Sequence, residues 1–225
     1  MYLAKRNPAL DRYAFVERWR AHGALAMSTP RWKHIRRYAQ CDAFREAEAI
    51  EGISDEYDGI GIVWPRSMAA RQAYRGERDS QALLEQDEFE TFDRPVLQSS
   101  VLCDERVLLR LSGGRLKLTR VLFADRAADA PPFDEFWSAH AVAILERSDG
   151  WGLCGYVQNH PMPPELPGGW GLPAAGIEEM WFRDLAGIRT AQSWLSGGHA
   201  SFAAGSAWHR ALAVVTTETV LYDVS

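Results

Sequence analysis

The sequence has little of what membrane-spanning and secreted proteins need. It has no run of 18 apolar residues, about the length required to span a bilayer, and its first six residues lack the apolar core of a signal peptide. Only three cysteines occur, Cys41, Cys103 and Cys154, and they form no C-x-x-C pair. We therefore expect a reduced, cytoplasmic protein that has no membrane partner.

Positive charge is also scarce. The 225 residues include 25 Lys and Arg against 30 Asp and Glu, which gives a formal net charge of −5. Binding to nucleic acid depends on clustered positive charge, so we expect no nucleic-acid partner. The one short basic cluster, at 31–37, indicates a solvated face of a turn and strand, with an anion-binding role as the alternative.

Motifs that hold metals and nucleotides are missing as well. No H-x-x-x-H or H-E-x-x-H occurs, so we expect no metal. No glycine-rich loop follows a strand and opens a helix, because Ser112-Gly113-Gly114 precedes a strand instead. We therefore expect no nucleotide, no flavin and no other cofactor.

What the sequence does contain is a segment that occurs twice. Residues 15–22 and 133–140 share the pattern Phe, three residues, Trp, two residues, His, at a distance of 118 residues. Further blocks recur in the same order at nearly the same spacing: 38–40 with 156–158, 59–64 with 176–181, and 101–108 with 214–221. This order predicts an internal duplication, with a first repeat over 1–111 and a second over 115–225.

The pattern within each repeat predicts the element order β-α-β-β-α-β. The first repeat predicts a strand in 1–6, a helix from the N-cap Asp11 to about 27, strands in 32–44 and 59–64, a helical region 67–90 broken near Gly76, and a strand in 98–111. The second repeat predicts strands in 116–124, 152–158, 175–181 and 210–222, a helix opened by Pro131-Pro132, a Pro/Gly-rich loop in 160–173, and a helical region 184–205.

This element order is that of the ferredoxin-like fold, in which both helices cover one face of a four-stranded antiparallel sheet. Two such units packed sheet to sheet would cover the face that each unit leaves bare. The fold class expected is therefore α+β, with two tandem ferredoxin-like repeats forming an α+β barrel in one chain.

The motifs of the first repeat resemble the EthD family of dimeric α+β barrel proteins. The resemblance rests on four motifs: Phe15-x-x-x-Trp19-x-x-His22-Gly23, Tyr38-Ala39-Gln40, Asp58-Gly59-Ile60 with Trp64, and Asp87-Glu88-Phe89 ahead of Cys103-Asp104-Glu105. It covers nearly all of 1–110 and, more loosely, 115–222. The sequence departs from the family in lacking a proline after the helix histidine, and the 160–173 loop has no equivalent in the first half.

The repeated histidines, His22 and His140, are the first candidates for catalysis. Imidazole titrates near neutrality and suits a base that removes a proton alpha to a carbonyl. Tyr38 and Tyr156 are candidates to donate a hydrogen bond to the enolate oxygen that then develops. The alternatives are histidines bonded to backbone carbonyls at a helix end, and strand tyrosines whose hydroxyls contact water.

Tryptophan is the residue type from which a binding cleft would be built. The chain has nine, and flat apolar walls suit a ring-shaped ligand. The candidates for substrate binding are Trp19, Trp137, Trp64, Trp181 and, as a possible lid in the Pro/Gly-rich loop, Trp170. The alternative is that these side chains belong to the core.

The resemblance implies a cofactor-independent enzyme of the lyase, dehydratase, decarboxylase or isomerase type. Its substrate would be a hydrophobic cyclic or aromatic carbonyl compound, in catabolism or polyketide-like metabolism. The alternative is a non-catalytic barrel that binds an apolar small molecule or serves as an interaction module. A haem on a single axial histidine and a homodimer through exposed helical faces are further open alternatives. We expect the two halves to differ, because duplication frees one cleft to degenerate.

Overall fold

A computed structural model of the chain describes residues 1–123, 133–163, 171–197 and 210–225. The first half contains β1 (Tyr2–Ala4), α1 (Arg12–Ser28), β2 (Ile35–Ala43), β3 (Gly59–Pro65), α2 (Met68–Gly76), α3 (Arg78–Thr91) and β4 (Cys103–Leu109). The second half contains β5 (Leu116–Phe123), α4 (Phe133–Leu145), α5 (Ser148–Trp151), β6 (Leu153–Pro161), β7 (Ala174–Phe182), α6 (Leu185–Ser196) and β8 (Arg210–Asp223).

Helix α1 carries the first copy of the duplicated segment, and its local sequence explains its position. The Asp11 carboxylate caps the helix by accepting from the Ala14 amide at 2.8 Å. Phe15, Trp19 and His22 are spaced so that they share one face, and all three are buried against the sheet. The corresponding residues of α4 are Phe133, which is partly exposed, and the buried pair Trp137 and His140.

The eight strands form one antiparallel sheet in the order β1-β3-β2-β8-β5-β7-β6-β4. Strand β8 joins the halves because its first part pairs with β5 and its last part with β2. Strand β4 likewise pairs with β6 of the other half. The two ends of the sheet meet where the Val101 amide donates to the Met1 carbonyl at 2.9 Å, which closes the sheet into a barrel. The predicted α+β fold is confirmed, and the halves are also hydrogen-bonded edge to edge.

Several predicted boundaries shift. Strand β4 begins only at Cys103, because Val96–Ser99 forms a short 3₁₀ helix. Strand β6 runs to Pro161 and so takes up the start of the predicted 160–173 loop. Helix α6 ends at Ser196, and the rest of the predicted helical region, 198–205, lies outside the described residues. Pro131 and Pro132, predicted to open α4, lie outside them too.

Alternation along the strands divides the sheet into two faces. The face toward the barrel interior carries an apolar cluster from both halves: Leu3, Cys41, Ile60, Ile62, Val121, Ile177 and Val214. The opposite face packs against the helices, and its second-half cluster includes Ile144 of α4, Met180 of β7 and Ile188 of α6. The predicted histidines lie on this helix-covered face. Among the described residues, no helix has the length and apolarity to cross a membrane.

Candidate functional site

In the first half, a glutamine fixes the tryptophan of α1 to the tyrosine of β2. The side-chain amide of Gln40 donates to the Trp19 carbonyl at 2.9 Å and to the Tyr38 hydroxyl at 2.6 Å. All three side chains are buried, and burial raises the pKa of Tyr38 to about 12. The Tyr38 phenol is therefore neutral at physiological pH and is held in a fixed position.

The same arrangement recurs in the second half. The Gln158 amide donates to the Trp137 carbonyl at 3.0 Å and to the Tyr156 hydroxyl at 3.1 Å. Each half thus has a helix tryptophan, a strand glutamine and a strand tyrosine in one hydrogen-bonded frame. We call these the first and second Trp–Gln–Tyr frames. Because they match, what lies beside each frame can be compared position by position.

Beside the first frame, the cleft is filled by Tyr2 of β1. The Tyr2 hydroxyl accepts from Trp19 Nε1 at 2.9 Å and lies 3.2 Å from the Tyr38 hydroxyl. Tyr2 pairs with Gly61 across β1 and β3, and a Cβ at position 61 would lie 2.1 Å from the Tyr2 ring. Glycine at 61 therefore makes room for the ring, and the polar groups of the frame are satisfied by the protein itself.

His22 lies near this frame but pairs with helix α3. Its Nδ1 is 2.7 Å from Asp87 Oδ2, and the Arg18 guanidinium donates to the other oxygen of the same carboxylate. Burial lowers the pKa of His22 even though Asp87 acts in the opposite direction. Burial alone would raise the pKa of Asp87, but the hydrogen bonds from Arg18 and His22 outweigh it and lower that pKa.

Beside the second frame, Arg120 and Glu178 occupy the positions that Tyr2 and Gly61 have in the first half. Arg120 of β5 pairs with Glu178 of β7, as Tyr2 of β1 pairs with Gly61 of β3. Both substitutions replace neutral groups by charged ones. The two halves thus share a frame and differ in the chemistry placed next to it.

The Glu178 carboxylate is the centre of a buried charged network. One oxygen accepts from Arg120 Nη1 at 2.5 Å. The other lies 3.0 Å from His140 Nε2 and accepts from the Tyr156 hydroxyl at 3.0 Å. Glu178 is fully buried, and the side chains of Arg120 and His140 are at most 8% exposed. The second-half histidine and tyrosine of the prediction are therefore brought together by a carboxylate.

The charge states of Glu178 and Tyr156 depend on the balance between burial and the interactions with neighbouring groups. Burial would raise the pKa of Glu178, but the nearby His140 and Arg120 and the hydrogen bonds to the carboxylate lower it to about 2. Burial, and then the negative charge of Glu178, raise the pKa of Tyr156 far above its ordinary range. At neutral pH the carboxylate is ionised and the phenol is neutral.

The ionised carboxylate also determines the tautomer of His140. A carboxylate can only accept, so His140 Nε2 donates to it. In neutral imidazole the lone pair then resides on Nδ1. This is the arrangement in which a carboxylate orients a histidine and stabilises its protonated form.

Three buried nitrogens around the second frame have no hydrogen-bond partner among the described residues. They are Trp137 Nε1, Arg120 Nε and His160 Nε2. The His160 ring lies edge-on to the Trp137 ring, with 6.3 Å between centroids. Trp19 Nε1, which corresponds to Trp137 Nε1, is satisfied by Tyr2. Buried polar groups in proteins are generally hydrogen-bonded, so the two frames differ in whether the indole N–H of their tryptophan has a partner.

Trp64 and Trp181 lie on the other face of the sheet, apart from both frames. They line a cleft of about 150 Å³ at one end of the barrel interior. The Arg37 guanidinium lies 4.6 Å from the Trp64 ring centroid, and Lys117 Nζ lies 5.2 Å from that of Trp181. The predicted substrate-binding tryptophans therefore fall into two sets on opposite faces, and Trp170 lies outside the described residues.

The floor of this interior cleft is a network around a buried lysine. Lys117 is fully buried, and its Nζ lies 2.8 Å from an oxygen of Glu179 and 2.8 Å from one of Glu218. Burial would lower the pKa of Lys117, but the two carboxylates outweigh it and raise that pKa. Arg37 of β2 donates to the second oxygen of Glu218 at 2.8 Å, so the network connects the halves.

Arg120 and Glu178 were not predicted as site residues from the sequence. A signal was available, because each is a charged residue at a position where strand alternation places it toward the helices, beside apolar Leu118 and Met180. Aligning the repeats further shows a charged pair replacing Tyr2 and Gly61. Among the described residues, no three His, Cys, Asp or Glu side chains cluster as a metal site; the absence of metals and cofactors remains a prediction.

The fold and the two frames define an α+β barrel with a histidine–carboxylate pair in each half, between two helices in the first half and between helix and sheet in the second. A family model described as the EthD domain matches residues 7–95. The resemblance of the first repeat to the EthD family is thus confirmed. The looser resemblance of 115–222 remains a prediction.

A solved structure from Lactobacillus acidophilus NCFM, described as a candidate monooxygenase, is similar to this chain. The match has a TM-score of 0.48 and 10% sequence identity, and it covers 97% of this chain and 92% of the other. No curated protein matches the chain.

Proposed function

We propose that the protein is a cofactor-independent acid–base enzyme that acts on a hydrophobic cyclic or aromatic carbonyl compound. The reaction would be a lyase, dehydratase, decarboxylase or isomerase step that begins with loss of a proton alpha to the carbonyl. The observation that carries the proposal is the ionised Glu178, buried between Arg120 and His140 beside the second frame. Membership of residues 7–95 in the EthD family supports a fold that acts on small molecules.

In the proposed mechanism, His140 is the base. Its Nε2–H donates to Glu178, so Nδ1 takes the proton from the substrate. The imidazolium that forms is stabilised by the neighbouring carboxylate, which Arg120 keeps in place. Burial excludes water and strengthens these electrostatic interactions. This arrangement makes His140 the stronger candidate of the two predicted histidines.

The role proposed for Tyr156 differs from the role expected from the sequence. Its hydroxyl donates to Glu178, so it orients the carboxylate rather than the substrate. Tyr38 has the corresponding position in the first half, where Tyr2 takes up the space beside it. We therefore assign Tyr156 as a positioning residue and give Tyr38 no part in the reaction.

The proposal is tested by turnover of a panel of hydroxy-aromatic ketones and lactones, followed by absorbance, with wild type beside two matched variants. His140→Gln should lower the rate by roughly 10²–10⁴-fold, the usual contribution of a general base. His22→Gln alters the same residue in the other repeat and should leave the rate within about twofold. Equal losses in both variants, or turnover unaffected by His140→Gln, would contradict the assignment.

A second candidate is a barrel that binds an apolar small molecule without turning it over. The observation that favours it is the filling of the first cleft by Tyr2, which places a side chain of the protein where a ligand would lie beside that copy of the frame. This candidate predicts saturable binding, no product from any compound of the panel, and equal affinity in wild type and in both histidine variants.

We also propose a cytoplasmic location and a small-molecule partner, with a homodimer as the alternative to a monomer. The location is supported by the three cysteines, which are all unpaired. Sedimentation velocity would decide between monomer and homodimer.

A further inference from the structure

The indole N–H of Trp137 is buried and has no acceptor among the described residues. The corresponding N–H in the first half shows which kind of acceptor fits at this position. Trp137 is 1% exposed, and its Nε1 has no hydrogen-bond partner. A buried donor without an acceptor costs about 1–3 kcal/mol, so such positions generally mark a missing water, ion or ligand. The equivalent donor, Trp19 Nε1, is satisfied by the phenol oxygen of Tyr2 at 2.9 Å.

The comparison is justified because the frames that hold both indoles are alike. In each half a glutamine amide joins the tryptophan carbonyl to the strand tyrosine hydroxyl, at 2.9 and 2.6 Å in the first half and 3.0 and 3.1 Å in the second. In each half the indole also lies against a glycine of the sheet, Gly59 or Gly176, where a Cβ would lie 2.6 Å or 3.1 Å from the tryptophan ring. The two N–H groups therefore have corresponding surroundings.

What the second half lacks is the phenol. Its counterpart of Tyr2 is Arg120, which has no acceptor atom and is engaged with Glu178. Glu178 takes over only one of the contacts of the Tyr2 hydroxyl, the one to the strand tyrosine, here Tyr156. The indole N–H of Trp137 therefore lacks an acceptor among the described residues, and Arg120 Nε is a second buried donor that lacks one.

The chemistry around this position favours a hydroxyl over a carbonyl. Trp137 offers a donor, whereas the ionised Glu178 is only an acceptor. A hydroxyl can accept from the first and donate toward the second, as the Tyr2 hydroxyl both accepts from Trp19 and shares a hydrogen bond with Tyr38. A ketone oxygen could only accept. The rings of Phe133 and His160, next to Trp137, add flat walls for an aromatic ring.

We propose that the second half binds an aromatic hydroxyl compound, a phenol or the enol of a cyclic ketone, whose oxygen accepts from Trp137 Nε1. Tyr2 of the first half is then an internal counterpart of this ligand. The inference rests on the proposed function, because it names the ligand class of the same site. The enol forms when His140 takes the proton alpha to the carbonyl and returns it to the oxygen, and its hydroxyl is then on an sp² carbon, as in a phenol.

The test uses 4-methylphenol, which is the tyrosine side chain as a free molecule, and toluene, which lacks only the hydroxyl. Binding to the full chain is measured by equilibrium dialysis. The wild type should bind 4-methylphenol at least about tenfold more tightly than toluene, since a hydrogen bond to a buried donor of this kind is worth about a factor of ten in affinity. Equal affinities for the two compounds would overturn the proposal and would indicate that a water molecule accepts from the indole N–H.

Matched variants separate the two halves. Trp137→Phe should remove the tenfold preference for 4-methylphenol and leave toluene binding unchanged. Trp19→Phe removes an indole N–H that Tyr2 already satisfies, so the preference should persist. Loss of the preference in Trp19→Phe, or its persistence in Trp137→Phe, would contradict the inference.

A measurement on the wild-type protein tests the same contact without depending on whether a variant folds. In a ¹H–¹⁵N spectrum, 4-methylphenol should shift the indole N–H signal of Trp137 downfield and leave that of Trp19 in place, and toluene should shift neither by a comparable amount. An unmoved Trp137 signal at saturating 4-methylphenol would refute the contact. These experiments need no turnover, so a phenol-specific site without catalysis would refute the proposed function alone.

Discussion

At the scale of single residues, Glu178 decides the character of the second cleft. It is fully buried, and three side chains donate to its two oxygens. A buried carboxylate with this many donors stays ionised, whereas one without them would be protonated. The same position in the first half is Gly61, which offers no carboxylate to the first frame.

Glu178→Gln should lower both stability and activity. The substitution leaves Arg120 as a buried charge without its partner, and breaking a buried ion pair from one side costs about 3–5 kcal/mol. Urea denaturation at pH 7 measures the loss. Asp87→Asn, the matched change at the carboxylate of His22, should cost less because Asp87 is 16% exposed. A loss under 1 kcal/mol for Glu178→Gln would show that the network contributes little.

Stability should also decrease as the pH falls below about 6.5. Burial lowers the pKa of His22 in the folded protein, so between its ordinary value of 6.5 and that lowered pKa the unfolded chain binds the proton more readily. Protonation therefore favours unfolding, and the stabilisation is complete only above 6.5. His22→Gln should flatten the curve of unfolding free energy between pH 7.5 and 5. A curve that is equally steep in the variant would assign the effect to other groups.

At the scale of elements, the two strand pairs β1–β3 and β5–β7 have the same register and different contents. Tyr2 faces Gly61 in one, and Arg120 faces Glu178 in the other. The first strand pair provides a hydrogen-bond acceptor for the indole N–H of its tryptophan. The second pair leaves the corresponding N–H without an acceptor among the described residues. The difference between the halves thus lies in two positions on adjacent strands.

Gly61→Ala should be markedly destabilising because of this packing. The added Cβ would lie 2.1–2.4 Å from three atoms of the Tyr2 side chain, and overpacking of this kind costs about 1–3 kcal/mol. In a Tyr2→Ala background the same change should cost far less, since the ring is gone. Urea denaturation of the four proteins gives the coupling energy. Additive effects would contradict the account of how the first cleft is filled.

Much of the order of helices and strands was predictable from the sequence. The repeated Phe, Trp and His spacing predicted α1 with its buried face, and the residue pattern within each repeat predicted the β-α-β-β-α-β order. The pairing of β4 with β6 and of β8 with β2 was not predictable, because it depends on which edges remain open after each half folds. Arg120 and Glu178 were missed because charged residues on strands are usually solvated, although strand alternation places both toward the helices, where they are buried.

At the scale of the whole molecule, the halves are joined by strand exchange and by a shared charged network. Strand β8 pairs with both halves, and Lys117 is held between Glu179 and Glu218 inside the barrel. Two units that share a continuous sheet are expected to unfold together. The division at 112–114 is therefore a boundary between repeats in sequence, and the repeats themselves are predicted to form one cooperative unit.

Lys117→Met should destabilise the entire barrel. It leaves Glu179 and Glu218 with fewer compensating charges, and removing one partner of a buried ion pair costs about 3–5 kcal/mol. Tryptophan fluorescence and far-UV circular dichroism should still report one coincident urea transition, shifted to lower urea. Arg37→Met, at a side chain that is 34% exposed, should shift it less. Two separate unfolding transitions in the wild type would contradict the prediction that the repeats unfold as one cooperative unit.

The central claim is that a duplicated cleft has been retained for a ligand in the second half and closed by Tyr2 in the first. The stoichiometry of binding tests it most directly. In a calorimetric titration with 2-naphthol, the account predicts one ligand per chain, with Trp137→Phe weakening the affinity about tenfold and Trp19→Phe leaving it unchanged. Two ligands per chain, or a single site that Trp19→Phe removes, would contradict it.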